Sequence, residues 1–110
     1  MNDQLTIDFS DLPDDMTEGF WQFHRDNPGV YVRLVAMTRI MRNAGRTRIG
    51  IGMLFEVLRW EYWLSTESDE PFKLNNNYRA YYSRLIEQRE PDLRGMFTKR
   101  KAAGDEAIAA

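Results

Sequence analysis

Tyr78, Tyr81, Tyr82 and Leu85 recur at i, i+3, i+4 and i+7, the spacing of one helix face and not of a strand. The stretch that carries them opens with Asn75-Asn76-Asn77, and Asn75 or Asn76 can cap a helix by accepting a bond from a first-turn N–H. A helix is therefore predicted over residues 76–90. Asn76, Asn77, Ala80 and Arg84 fall on its other, solvent-facing side. The same period appears twice upstream. Asn27-Pro28 is a start signal, with a capping residue followed by a proline whose missing N–H costs a first turn nothing. From it Val30, Leu34, Met37 and Met41 form a stripe, widened by Tyr31 and Thr38, that predicts a helix over 28–44 stopped by Gly45. Ile51, Leu54, Phe55, Leu58 and Tyr62 predict a third helix over 50–64, with Gly52, Glu56, Arg59 and Trp63 on its other side. Trp60 and Trp63 lie near that polar side and are expected to pack under another element, such as the first helix.

The expected class is all-α: a small single-domain bundle of three main helices with short flanking helices, helix-turn-helix-like in outline. The five-residue connection 45–49 carries that outline. The polar loop 65–71 is too long for the usual three- or four-residue turn before a reading helix. Ahead of the bundle, Leu5, Ile7 and Phe9 alternate with polar residues, as a short strand or a peptide docked on the body would. The run Asp11 to Asp15, broken by Pro13, argues against a helix there, so the first short helix is expected to start at a Thr17 cap and run to about Arg25. Phe20, Trp21 and His24 share its face. Pro91 is expected to start a last short helix to about Lys99, packing Leu93, Met96 and Phe97, and Lys99-Arg100-Lys101 forms a basic exit. The domain plan is thus 1–17 as an acidic, flexible leader, 18–101 as the helical domain and 102–110 as a frayed tail.

Charge is distributed unevenly along the chain. Residues 1–18 hold six acids and no base, whereas residues 19–101 hold all 15 bases against nine acids. A basic body with acidic ends suits either an anionic partner or an acidic leader laid over the basic surface. The chain has no cysteine, which rules out a disulfide framework or a thiolate site and fits a reducing cytoplasm. Met1-Asn2-Asp3-Gln4 does not open a secretory signal, and no apolar run approaches the length of a membrane span. No membrane role, metal or cofactor is expected.

Enzymatic chemistry finds little support. His24 is the single histidine and reads as a helix histidine, not a base. Gly50-Ile51-Gly52 lacks the third glycine of a phosphate loop, and Glu56 reads as a partner of Arg59 one turn on. The basic residues are more informative. Arg39, Arg42, Arg46 and Arg48 fall within ten residues that hold no acid, and the planar arginine fork suits phosphate and guanine. Asn76 and Asn77 at a helix start, with Arg84 on the same side, could reach base edges or a phosphate. The tyrosines suit either a core or a stacking role.

Phe20-Trp21-Gln22-Phe23-His24 with Asn27-Pro28, Phe55-Glu56-Val57-Leu58-Arg59-Trp60, residues 72–78, Tyr82-Ser83-Arg84-Leu85, Gly95-Met96-Phe97 and Arg100 together resemble an uncharacterised family of short bacteriophage and prophage proteins. The resemblance spans roughly residues 20–101 and implies the cytoplasm of a bacterial host. It brings no catalytic residues. Two non-enzymatic functions stay open: nucleic-acid binding, DNA above all, through Arg39, Arg42, Arg46, Arg48, Asn76, Asn77 and Arg84, or engagement of a host or phage protein through the acidic leader or exposed aromatics. One continuous basic face would favour the first. Arginines paired to acids would favour the second.

Overall fold

The computed structural model describes residues 6–70 and 72–98. They form four α-helices, α1 (Asp14–Asp26), α2 (Pro28–Asn43), α3 (Ile51–Ser65) and α4 (Arg79–Arg89), with single 3-10 turns at Asn76–Tyr78 and Pro91–Leu93. The expected all-α class is what is seen, and among the described residues the strand-like pairing is one isolated parallel bridge, Ile49 to Phe97.

Helix α4 is the element the others surround. Tyr81, Tyr82, Leu85 and Ile86 are all buried, against Phe20 of α1, Leu34 of α2 and Phe55 of α3. The Phe20 ring stacks on Tyr81 at 5.1 Å and meets the edge of Tyr82 at 4.8 Å, while Phe55 meets Tyr82 at 6.1 Å. Edge and offset ring pairs of this kind add to the area they bury. The tyrosines of the Asn-led helix are therefore core residues and present no stacking platform, with Tyr78 only partly covered. Its start follows the sequence closely: Asn75 Oδ1 accepts from the Asn77 N–H at 2.9 Å, and the 3-10 turn feeds α4.

The N-terminal segment departs from the expected flexible leader. Phe9 is buried, 5.6 Å from the Phe20 ring, 5.4 Å from Trp21 and 5.1 Å from Tyr81. Polar contacts fasten its backbone to α4: Asp8 N–H donates to Gln88 Oε1 at 2.7 Å, Gln88 Nε2 donates to Asp8 O at 2.8 Å, and Tyr81 OH donates to Pro13 O. Of the two forms the alternation allowed, a docked peptide is the one present. The first helix also starts earlier than the acidic run suggested. Pro13 occupies the N-cap position in extended backbone and Asp14 and Asp15 fill the first turn, where the helix dipole favours carboxylates. Leu5, the basic exit 99–101 and the tail 102–110 lie outside the described residues.

Other boundaries shift for local reasons. Asn27 does not cap α2 with its side chain; Nδ2 donates to Phe23 O at 3.0 Å and closes α1 instead. Gly45, just after α2, has φ 91°, the left-handed backbone that ends a helix. The last predicted helix shrinks to the turn Pro91–Leu93, because the chain then extends to pair with the α2–α3 loop: Ile49 N–H donates to Met96 O at 2.7 Å and Thr98 N–H to Ile49 O at 2.9 Å. Leu93, Met96 and Phe97 are buried as expected.

Candidate interaction surface

The seven residues expected to form one nucleic-acid surface are divided by the fold. Arg39 donates through Nε and Nη2 to both oxygens of Asp92, at 3.0 and 3.1 Å, and through Nη2 to Glu90 at 2.7 Å. This clamps the turn after α4 onto α2. The hydrogen bonds from Arg39 hold the Asp92 carboxyl below its ordinary range. Glu90 also accepts from Tyr31 OH at 2.8 Å, and burial together with that carboxylate pushes the Tyr31 phenol up. Arg84 donates through Nε and Nη2 to Asp11 Oδ2, at 3.0 and 2.7 Å, and so anchors the N-terminal segment. Asn76 Oδ1 accepts from Arg59, which also bonds Glu56 and donates to Leu74 O at 2.9 Å. Asn77 is exposed, its backbone N–H taken by the Asn75 cap.

Arg42, Arg46 and Arg48 remain exposed at the end of α2 and in the loop after it, and form no ion pair among the described residues. The Ile49 bridge to Phe97 holds that loop in place. The expected patch therefore separates. Arg42 in the last turn of α2 and Arg46 and Arg48 in the loop after it are exposed, whereas Arg39, Arg84 and Asn76 fasten elements together. His24 is half-buried, its ring parallel to Phe20 at 6.0 Å. Among the described residues no group of three or more His, Asp or Glu is placed to hold a metal ion. No described helix is long and apolar enough to cross a membrane.

A different feature stands out on α3. Ile51, Leu54, Phe55 and Leu58 are buried. On the opposite face Met53 is 47% exposed, Trp60 63%, Leu64 69% and, beside them, Trp63 48%. Trp60 and Trp63 are not covered by the first helix, contrary to expectation. Met53, Val57, Trp60 and Leu64 follow at intervals of four, three and four, a second helical stripe on an element that already has a buried one; Val57 is partly covered and packs against the core, and the other three are exposed. Ile40 on α2 is also exposed. Arg33 and Ile40 lie seven residues apart and share a stripe of α2, and Arg33 reaches α3 by a two-pronged bond to Glu61, at 3.0 and 2.6 Å. Ile40 therefore lies on the border of α2 that faces α3. The Arg33 bonds hold the Glu61 carboxyl below its ordinary range. Both carboxylates nearest the stripe are neutralised within the chain, Glu61 by Arg33 and Glu56 by Arg59.

Sequence reasoning singled out Trp63 as a residue of the polar side but missed the stripe. The signal was present: Met53, Val57, Trp60 and Leu64 recur at helical spacing on the side between Glu56 and Glu61, away from the stripe Ile51, Leu54, Phe55 and Leu58, and a helix covered on one face does not require a second stripe. Comparison with known proteins adds no family: no family model, curated protein or solved structure matches the chain.

Proposed function

We propose that this chain is a non-enzymatic protein-docking factor whose docking element is the outer face of α3. The observation that carries the reading is the exposure of Trp60, Leu64, Trp63 and Met53 along one helix. Large apolar side chains gathered on one exposed face mark contact surfaces, and tryptophan is enriched among the residues that dominate binding energy. Among the described residues Arg33, Arg39, Arg59 and Arg84 are paired to acids, the distribution expected of a protein binder. The resemblance to short bacteriophage and prophage proteins makes a phage or host protein, in a bacterial cytoplasm, the natural partner class.

A photo-crosslinking residue at position 60, with a control at exposed Gln22 of α1, tests this reading in cells that make the protein. The expected result is a discrete adduct, to another copy or to a different protein, from position 60 only, lost when Leu64→Glu is added. Indistinguishable patterns from both positions would remove it. Nucleic-acid binding is the second reading, favoured by the exposed Arg42, Arg46 and Arg48. A mobility shift on duplex DNA at ~50 mM salt, lost with Arg46→Ala/Arg48→Ala and weakened steeply by added salt, would put it first.

A further inference from the structure

We infer that the occupant of the α3 face is a second copy of this chain, with the two α3 helices antiparallel about a two-fold axis between Val57 and Trp60. The inference rests on the docking reading and names its partner. Its first support is the symmetry of the stripe. Intervals of four, three and four read the same in both directions, so a reversed helix presents the same pattern. In that register Trp60 of one copy meets Val57 of the other, and Met53 meets Leu64. Each large side chain faces a smaller or unbranched one, and the two Trp60 rings do not oppose each other directly. Alternating steps of three and four are also the spacing with which paired helices interlock. A two-fold interface must be self-complementary in this way.

Charge gives the second support. The N-terminal approach to α3 carries exposed Arg46 and Arg48, and the segment after its C-terminus carries exposed Glu67, Asp69 and Glu70. None of the five forms an ion pair among the described residues. Antiparallel pairing sets each basic end beside the acidic end of the other copy across a helix about 22 Å long. Parallel pairing would set like charges together, and self-association is the one partnership in which both ends are matched by the same sequence. Between those ends the contact would bury no unpaired carboxylate of the stripe, since Glu56 and Glu61 already have arginine partners.

Sedimentation equilibrium of the full chain, from about 5 to about 500 µM, spans the range that a small, single-helix interface calls for. The expected result is a monomer–dimer equilibrium. Trp60→Glu, with an unchanged far-UV circular dichroism spectrum, should stay monomeric throughout. Arg46→Glu/Arg48→Glu and Glu67→Arg/Asp69→Arg should each weaken the dimer at least about tenfold at low salt, and the chain with all four changes should recover most of that loss. A wild-type monomer at the highest concentration overturns the inference. If crosslinking at position 60 then yields a different protein, the docking reading survives with another partner. If it yields no specific adduct, both fall. A dimer indifferent to Trp60→Glu, or charge reversals that do not rescue each other, would place the interface or its direction elsewhere and overturn the proposal equally.

Discussion

The two faces of α3 have similar composition and opposite circumstances. The inner face, Ile51, Leu54, Phe55 and Leu58, is buried against the bundle. The outer face, Met53, Val57, Trp60 and Leu64, is as apolar, and three of its four residues are exposed while Val57 is partly covered by the core. The hydrophobic effect acts on both, but among the described residues only the inner face is buried throughout. The contrast separates two uses of the same chemistry: apolar area that holds a fold, and apolar area left open to a partner.

The sharpest way to test that contrast is to truncate one residue on each face. Phe55→Ala is expected to cost about 3–5 kcal/mol of unfolding free energy, read from urea denaturation, because it empties a fully enclosed site beside Tyr82. Trp60→Ala, measured at a concentration where the chain is monomeric, should change stability by no more than about 0.5 kcal/mol. A loss of several kcal/mol at position 60 would mean the outer face is part of the fold. Phe9→Ala makes the same comparison elsewhere. It should also cost about 3–5 kcal/mol, since that ring belongs to the core and not to a loose leader. A near-zero effect there would return the segment to the solvent.

A smaller effect is expected at the seam between the faces. Arg59 bonds Glu56, Leu74 O and Asn76, so Arg59→Ala should cost about 1 kcal/mol by the same denaturation and loosen the Asn turn in hydrogen exchange. No change in exchange at residues 74–78 would show the bonds to be incidental. The smallest effect concerns pH. Arg33 holds Glu61 below its ordinary value of 4.5, and Arg39 holds Asp92 below 3.8. For a carboxylate lowered in the folded state, the unfolded chain takes up its proton first as pH falls. The stabilisation is therefore complete above those ordinary values and is lost as pH falls through the folded ones. Melting temperature followed from pH 6 to pH 3 should drop in that lower window, and less steeply in the Arg33→Ala chain. Parallel curves for the two would remove the Glu61 pair from the account.

Much of this fold was legible because its signals are local. Pro28, the stripe from Val30 to Met41 and Gly45 bound α2 to within a residue, and the Asn75 cap marks where the chain turns into α4. What escaped depends on distant partners. Arg39 meets Asp92 and Arg84 meets Asp11 across 53 and 73 residues, and nothing in the sequence near either arginine points to those distant acids. The last helix gave way to an extended segment because Phe97 pairs with Ile49, a choice made by tertiary packing over local propensity. Trp60 misled in the opposite direction. A tryptophan in a helix of this kind is expected to be covered, and only the arrangement of α1, α2 and α4 reveals that none of them reaches it.

The most direct test sets Leu54→Ala beside Trp60→Ala and measures two quantities on each: unfolding free energy in the monomer range and association by sedimentation equilibrium. The expected result is a crossed pattern. Leu54→Ala should lose about 2–5 kcal/mol of stability yet still associate where it is folded, whereas Trp60→Ala should keep its stability and lose association. Equal losses of stability at both positions, or association untouched by Trp60→Ala, would contradict the division of α3 into a folding face and a docking face.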